Sequence, residues 1–263
     1  MKILDGRELA GFVKERQRQV VLSLKSEKKT PKLVIIRNSD NPVIMKYVGL
    51  KKQYGEDIGV EVSDVFAGSL EELKTSVESA NKDTSVSGII VQLPLSNAEW
   101  TDEVVSLIAP EKDVDGLSGK GKFDSATATA INWLLSGHNI ELSGKKIAIV
   151  GHGRLVGKPL EKMWSDSGLS VTVFHRGSDF SQLKDFDVVV TATGNPHLIT
   201  SEMIASGTVV VDAGTASEGG VIVGDINEEI RGRNDLLALT PKIGGVGPLT
   251  VTVLFENVVQ ATK

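Results

Sequence analysis

The chain has 263 residues, 40% of them hydrophobic and 24% charged, which is the length of one large or two ordinary domains and enough apolar content for a sizeable core. Its formal net charge of −5, without a long basic block, excludes the electrostatic footprint of a protein that wraps nucleic acid. The absence of cysteine excludes disulfides, thiolate metal sites and a cysteine nucleophile. The opening MKILDGRELAGFVKERQRQV lacks the apolar stretch and small-residue cleavage site of a signal peptide, and no apolar run reaches membrane-spanning length. The expectation is a cytoplasmic protein with a small-molecule partner and neither nucleic acid nor membrane.

In chain order, short Val- and Ile-rich runs at 32–37, 60–65, 88–93, 146–150, 171–175, 187–191 and 208–212 alternate with helical patterns, which predicts parallel α/β structure. KIAIV, DVVVTAT and TVVVDAG are apolar at successive positions, as in strands covered on both faces. The Gly-, Ser- and Lys-rich stretch 116–127 reads as an interdomain connection, followed by a helix over 128–136 and a new series of strands opened by Gly144. Residues 249–262 read as a last helix, with Pro248 near its first turn where a missing N–H is harmless.

Three places ahead of the glycine-rich stretch carry chemistry. Tyr47 and Lys51 stand four apart in the helical pattern VIMKYVGLKKQYGEDIG, so a phenol and an amine share one face. An isolated pair of this kind is more often an ordinary solvated face. The run SGIIVQLPLS ends in Gln92 and Pro94, at the strand edge where α/β sheets bind ligands, although Gln92 could equally cap the strand. EKDVDGL then sets Asp113 and Asp115 before the glycine-rich stretch, where a turn-forming role competes with a binding one.

The strand KIAIV runs into Gly151-His152-Gly153-Arg154-Leu155-Val156-Gly157 and an apolar-periodic helix, a strand, glycine turn and helix suited to a dinucleotide pyrophosphate. The spacing is one residue longer than the usual fingerprint, and an ordinary tight turn is the competing reading. About 20 residues on, where NAD enzymes place an acid for the ribose 2′-hydroxyl, stand His175 and Arg176. A guanidinium there suits a 2′-phosphate, which favours NADP while leaving NAD possible. The four histidines show no ligand-type spacing, so no metal is expected.

Taken in order, the Tyr47/Lys51 pair, VQLPL, EKDVDG, GHGRLVGKP and TPKIGGVGPLT resemble the motif set of the bifunctional methylenetetrahydrofolate dehydrogenase/methenyltetrahydrofolate cyclohydrolase family, as do ILDGREL and VVVDAGT with VGDI. The resemblance implies two α/β domains: a folate-binding catalytic domain over 1–138 completed by a C-terminal helix at 246–263, and a Rossmann-like NADP-binding domain over 139–245. It implies oxidation of 5,10-methylenetetrahydrofolate with NADP+ and hydrolysis of the product to 10-formyltetrahydrofolate in one cleft.

By the same resemblance Lys51 is the acid/base group, Gln92 orients it, Tyr47 stacks on the aminobenzoyl group, and Asp115 holds the pterin's donor edge. Leu93, Pro94, Gly245, Gly247 and Pro248 complete the folate site, and Gly151 to Val156, His175, Arg176, Thr193, Gly194 and Thr215 bind the cofactor. A homodimer is implied as well. The chain departs from the pattern at Ile44, where relatives commonly carry serine, and at His152 and Gly153, where they carry arginine and serine. Three alternatives stay open: a dehydrogenase without the hydrolytic step, a methanopterin-like carrier, and a non-catalytic dinucleotide sensor.

Overall fold

Successive apolar residues fold as parallel strands, because only a strand covered on both faces can bury every side chain of the LVII of KLVIIR or of IAIV. In chain order the elements of this computed structural model, which describes residues 1–218 and 221–263, begin with β1 (Lys2–Ile3), α1 (Arg7–Ser26), β2 (Lys32–Arg37) and α2 (Pro42–Ile58). Next come β3 (Glu61–Phe66), α3 (Leu70–Lys82), β4 (Gly88–Val91), α4 (Trp100–Val105) and α5 (Ala126–Gly137). There follow β5 (Ile147–Val150), α6 (Gly157–Asp166), β6 (Val171–Phe174), β7 (Val188–Thr191) and β8 (Val209–Asp212). A hairpin of β9 (Ala216–Glu218) and β10 (Val221–Val223), then α7 (Glu228–Arg231), β11 (Ala238–Leu239) and α8 (Val246–Ala261), complete the chain. No helix among the described residues is long and apolar enough to cross a membrane.

The chain divides into two units, residues 11–126 with 251–263 and residues 1–10 with 127–250. The first holds a parallel sheet in the order β3-β2-β4, with a core that includes Val34, Ile36, Leu73, Val77, Val91 and Val104. Its helix ends are set locally. Asn41 caps α2 by accepting from Val43 N–H at 2.9 Å, Pro42 follows it, and Gly59 closes the helix in the left-handed region at φ 84°. Ser69 accepts from Glu72 N–H while Glu72 reaches back to Gly68 N–H at 2.6 Å, a reciprocal cap on α3.

The C-terminal half of α8 belongs to this first unit: Phe255 stacks on Tyr54 at 4.9 Å, and Asn257 donates to the Val114 carbonyl at 2.8 Å. Buried Gln17 donates to the Thr252 carbonyl at 2.9 Å, so the polar groups enclosed beside the helix are satisfied.

The second unit is built on a parallel sheet in the order β1-β11-β8-β7-β5-β6. Its core includes Ala148, Val150, Val189, Val210, Ile226 and Leu239.

This division differs from the predicted boundaries at 138/139 and 245/246. Lys2 and Ile3 pair with Ala238 and Leu239, which takes the first ten residues into the second unit. Most of α5 goes with them, since Asn132 accepts from the Trp164 indole at 3.3 Å. Residues 116–126 belong to the first unit, with Leu117 and Ser125 buried, and the chain passes to the second unit at the end of this predicted connection, between 126 and 127. The last helix begins at Val246, so Gly247 and Pro248 lie in its first turn, whose N–H groups need no helical acceptor.

Candidate active site

In the first unit, Ile44, Val48, Gly55 and Ile58 form the buried stripe of α2. Tyr47 and Lys51 flank that stripe, half-buried, one turn apart as the spacing predicts. Lys51 Nζ donates to Gln92 Oε1 at 2.7 Å. Gln92, at the end of β4, donates through Nε2 to the Leu93 carbonyl at 3.0 Å, which turns its amide oxygen toward the amine. The Leu93–Pro94 peptide that follows is cis.

Asp115 reaches the same place by another route. Ile89 N–H donates to the Lys112 carbonyl at 2.8 Å and Asp113 bridges Ile89 in parallel, so the 112–115 segment runs beside β4 toward Gln92. Lys112 is fixed by donating to the carbonyls of Ala80, Asn81 and Asp83 at the end of α3. Asp113, fully buried, accepts from Leu117 N–H at 3.1 Å, Ser118 N–H at 2.8 Å and Ser118 Oγ at 2.6 Å. The turn-forming role therefore belongs to Asp113, and Asp115 faces Lys51 electrostatically.

The consequences for charge are reciprocal. Burial pushes the Lys51 ammonium below its ordinary range, with the Asp115 carboxylate holding it up. Burial pushes Asp115 up to about 6, against the pull of Lys51 and with the aid of Asp113. An amine lowered toward neutrality beside a carboxyl titrating near 6 is suited to proton transfer. Ile44 is 5% exposed, so the helix turn below Tyr47 presents an apolar side chain.

In the second unit the glycine turn is dictated by space. Gly151 has φ 98°, and a Cβ there would stand 2.6 Å from the Ala192 carbonyl oxygen. A Cβ at Gly157 would collide with the Gly151 carbonyl, so the first turn of α6 can close on the strand end only without a side chain. A Cβ at Gly153 would meet nothing within 4 Å, which leaves open space over the turn. The sequence thus makes a cradle that fits a pyrophosphate at a helix N-terminus.

His152 Nε2 lies 2.5 Å from Glu161 Oε2 on α6, and its ring meets that of His175 edge-on at 5.3 Å. His175 and Arg176 follow β6 and are exposed. Arg154, Leu155 and Val156 continue the turn, Thr193 and Gly194 follow β7, and Thr215 follows β8. Gly245, Gly247 and Pro248 also belong to this unit, apart from the Tyr47, Lys51, Gln92, Leu93, Pro94 and Asp115 set of the first. The ILDG motif finds its use here: Gly6 N–H donates to the Gly244 carbonyl at 2.8 Å.

Sequence reasoning missed Glu161, because its partner His152 is reached only once α6 folds back along the turn. It also left Asp212 and Asp225 without a task, although VVVDAGT and VGDI had drawn attention to them.

Two family descriptions cover the chain: the tetrahydrofolate dehydrogenase/cyclohydrolase catalytic domain matches residues 4–115, and the NAD(P)-binding domain of the same name matches residues 125–263. The Bifunctional protein FolD of Staphylococcus carnosus is 37% identical over 282 aligned residues, covering 100% of this chain and 97% of that protein. The crystal structure of the bifunctional FolD methylenetetrahydrofolate dehydrogenase/cyclohydrolase from Campylobacter jejuni is 33% identical and superposes with a TM-score of 0.91, covering 100% of this chain and 98% of that one. The Trypanosoma brucei enzyme, solved with NADP cofactor and inhibitor, is 28% identical with a TM-score of 0.91, covering 99% and 96%. A lysine–glutamine–aspartate set on one sheet edge, a glycine cradle on another and full-length likeness agree: the chain belongs to the tetrahydrofolate dehydrogenase/cyclohydrolase family.

Proposed function

We propose that this chain oxidises 5,10-methylenetetrahydrofolate to 5,10-methenyltetrahydrofolate with NADP+ and then hydrolyses that product to 10-formyltetrahydrofolate. The observation that carries the reading is the Lys51 amine, hydrogen-bonded to Gln92 and electrostatically paired with Asp115.

In the first step a hydride leaves the methylene carbon, and the lone pair of the adjoining folate nitrogen supports the cation that forms, so no protein acid or base is required. When bound, NADP+ supplies the hydride acceptor. The glycine cradle after β5 holds its pyrophosphate, and Arg176 with His175 and His152 receives the 2′-phosphate.

In the second step water adds to the methenyl carbon. Lys51 as the free amine takes a proton from that water and returns it to the folate nitrogen as the carbon–nitrogen bond breaks. The remaining hydroxyl proton of the adduct leaves to solvent as the formyl carbonyl forms, so that the cationic substrate ends as a neutral product. Gln92 fixes the amine by accepting one of its protons at 2.7 Å. Asp115, an acceptor when ionised, holds the N–H edge of the pterin, and Tyr47 stacks on the aminobenzoyl ring. Leu93 and Pro94, beside Gln92, supply further folate contacts. A cytoplasmic homodimer, with folate and nicotinamide as its small-molecule partners, completes the reading.

The test is incubation with 5,10-methylenetetrahydrofolate and NADP+ or NAD+, following reduced cofactor and methenyl product separately, with Lys51→Met alongside. Reduction with NADP+, transient methenyl and final formyl product are expected, with hydrolysis lost in the variant. No reduction with either cofactor overturns the dehydrogenase assignment. Methenyl accumulating in the unmodified protein leaves a dehydrogenase alone, the outcome that Ile44 in place of serine favours.

A further inference from the structure

The turns after β7 and β8 are bound by two carboxylates that the steps above do not use. Asp225 is fully buried, and its Oδ2 accepts from the Thr193 backbone N–H at 2.6 Å. Its carboxyl sits against Gly214, where any Cβ would collide with it, and the Asp212 carboxyl sits in the same way against Gly224. Asp212 Oδ1 accepts from Thr191 Oγ1 at 3.2 Å, Gly214 N–H at 3.1 Å and Asp225 N–H at 3.0 Å. Its Oδ2 accepts from Arg231 Nη2 at 3.1 Å, and Arg231 Nη1 donates to the Thr240 carbonyl at 3.1 Å. The C-terminal ends of β7, β8 and β11 are thereby joined in one polar network.

Such a network is a costly way to hold a fold. Burial and the Asp212 charge both push the Asp225 carboxyl upward against the Thr193 amide, and Asp225 Oδ1 has no hydrogen-bond partner among the described residues. The topology supplies a reason for it. Sheet order runs β8-β7-β5-β6, so the chain steps to one side of β5 for β6 and to the other for β7 and β8. With the pyrophosphate on the turn after β5 and the 2′-phosphate end toward His175 and Arg176, the nicotinamide half extends over the ends of β7 and β8.

We propose that Asp225, supported by Asp212, is a positioning residue for hydride transfer, fixing the Thr193–Gly194 turn against Gly214 so that the nicotinamide half of the cofactor is received in one orientation. This rests on the reading of Thr193, Gly194 and Thr215 as cofactor contacts.

The experiment uses the full chain with Asp225→Ala and Asp225→Asn. Four quantities are read: dehydrogenase kcat and KM for NADP+, the deuterium isotope effect on hydride transfer, hydrolysis of supplied 5,10-methenyltetrahydrofolate, and the Kd values of NADP+ and of 2′,5′-ADP as a probe of the adenosine half. Asp225→Ala is expected to lower dehydrogenase kcat/KM roughly tenfold or more, the weight of one charge-assisted hydrogen bond. The isotope effect rises and NADP+ binding weakens, while 2′,5′-ADP binding and hydrolysis stay at the wild-type level. Asp225→Asn, which keeps the shape and an acceptor oxygen, shows the same selective pattern more weakly, and it decides the matter if the alanine variant does not fold.

Parallel loss of both activities and of 2′,5′-ADP binding would reduce Asp225 to a structural residue. Wild-type kinetics and isotope effect in Asp225→Asn beside an unfolded alanine variant would overturn the proposal equally. If the wild-type chain binds NADP+ without turning over the folate, the function reading fails alone, and Asp225→Ala must still weaken NADP+ relative to 2′,5′-ADP.

Discussion

Lys51 and Asp115 share one desolvated place, and each is shifted chiefly by burial and secondarily by the other. Replacing Asp115 with asparagine removes the charge that holds the Lys51 ammonium up, so the amine deprotonates at still lower pH. If the free amine is the active form, the ascending limb of the hydrolytic kcat profile moves toward acid in Asp115→Asn, and an unmoved or alkaline-shifted limb contradicts the role given to Lys51. The same substitution bears on stability. Folding raises Asp115 from an ordinary 3.8 to about 6, so between those values the unfolded chain sheds a proton that the folded chain keeps. Stability therefore falls as pH rises through that window and stays lowered above it. Asp115→Asn removes the penalty and should stabilise the protein above that window by up to ~3 kcal/mol, less whatever Lys51 loses with its partner. Urea midpoints at pH values below and above the window check this: the gain should be present at the higher pH and vanish at the lower.

At the scale of elements, the glycine turn and α6 separate two uses of glycine. Gly157 lacks room for a side chain against the Gly151 carbonyl, whereas Gly153 has open space. Gly157→Ala should destabilise the protein by about 1–3 kcal/mol, the usual cost of overpacking, and weaken NADP+ binding as the helix start is displaced. Gly153→Ala should leave thermal stability within about 0.5 kcal/mol, as for a surface site, yet still weaken NADP+ by obstructing the approach of the pyrophosphate. Equal effects of the two on stability would remove the distinction. Elements of this kind were legible because their signals are local: Tyr47 and Lys51 follow from a 3.6-residue period, and the covered strands from unbroken apolar runs. β1 and β11, two residues each, carry no period at all, and only their mutual pairing makes them strands. Glu161 beside His152, and Asp225 beneath Thr193, are tertiary partnerships that no spacing rule announces. Of Asp113 and Asp115, which read alike by spacing in EKDVDG, the family resemblance singles out Asp115, and only the backbone of 113–118 gives Asp113 its turn-forming hydrogen bonds.

At the scale of the molecule, each unit has its own sheet and core, and the chain passes between them at 10/11, 126/127 and 250/251. The first and last of these crossings fall inside α1 and α8, so neither unit can lose its structure without breaking a helix that the other also uses. Helix formation is cooperative, and severing one in its interior forfeits hydrogen bonds on both sides of the break. The expectation is one shared unfolding transition rather than two. Tryptophan supplies separate reporters, Trp100 for the first unit and Trp133 with Trp164 for the second. NADP+ at 100 times its dissociation constant should add about 2.7 kcal/mol to whatever unfolds together with its site. In a Trp100→Phe variant and in a Trp133→Phe/Trp164→Phe double variant, denaturant midpoints should coincide and should move by the same amount on adding NADP+. A midpoint for Trp100 that stays fixed while that of Trp133 and Trp164 climbs would mean that the shared helices do not couple the two units, and that the cofactor stabilises only the unit carrying the glycine cradle.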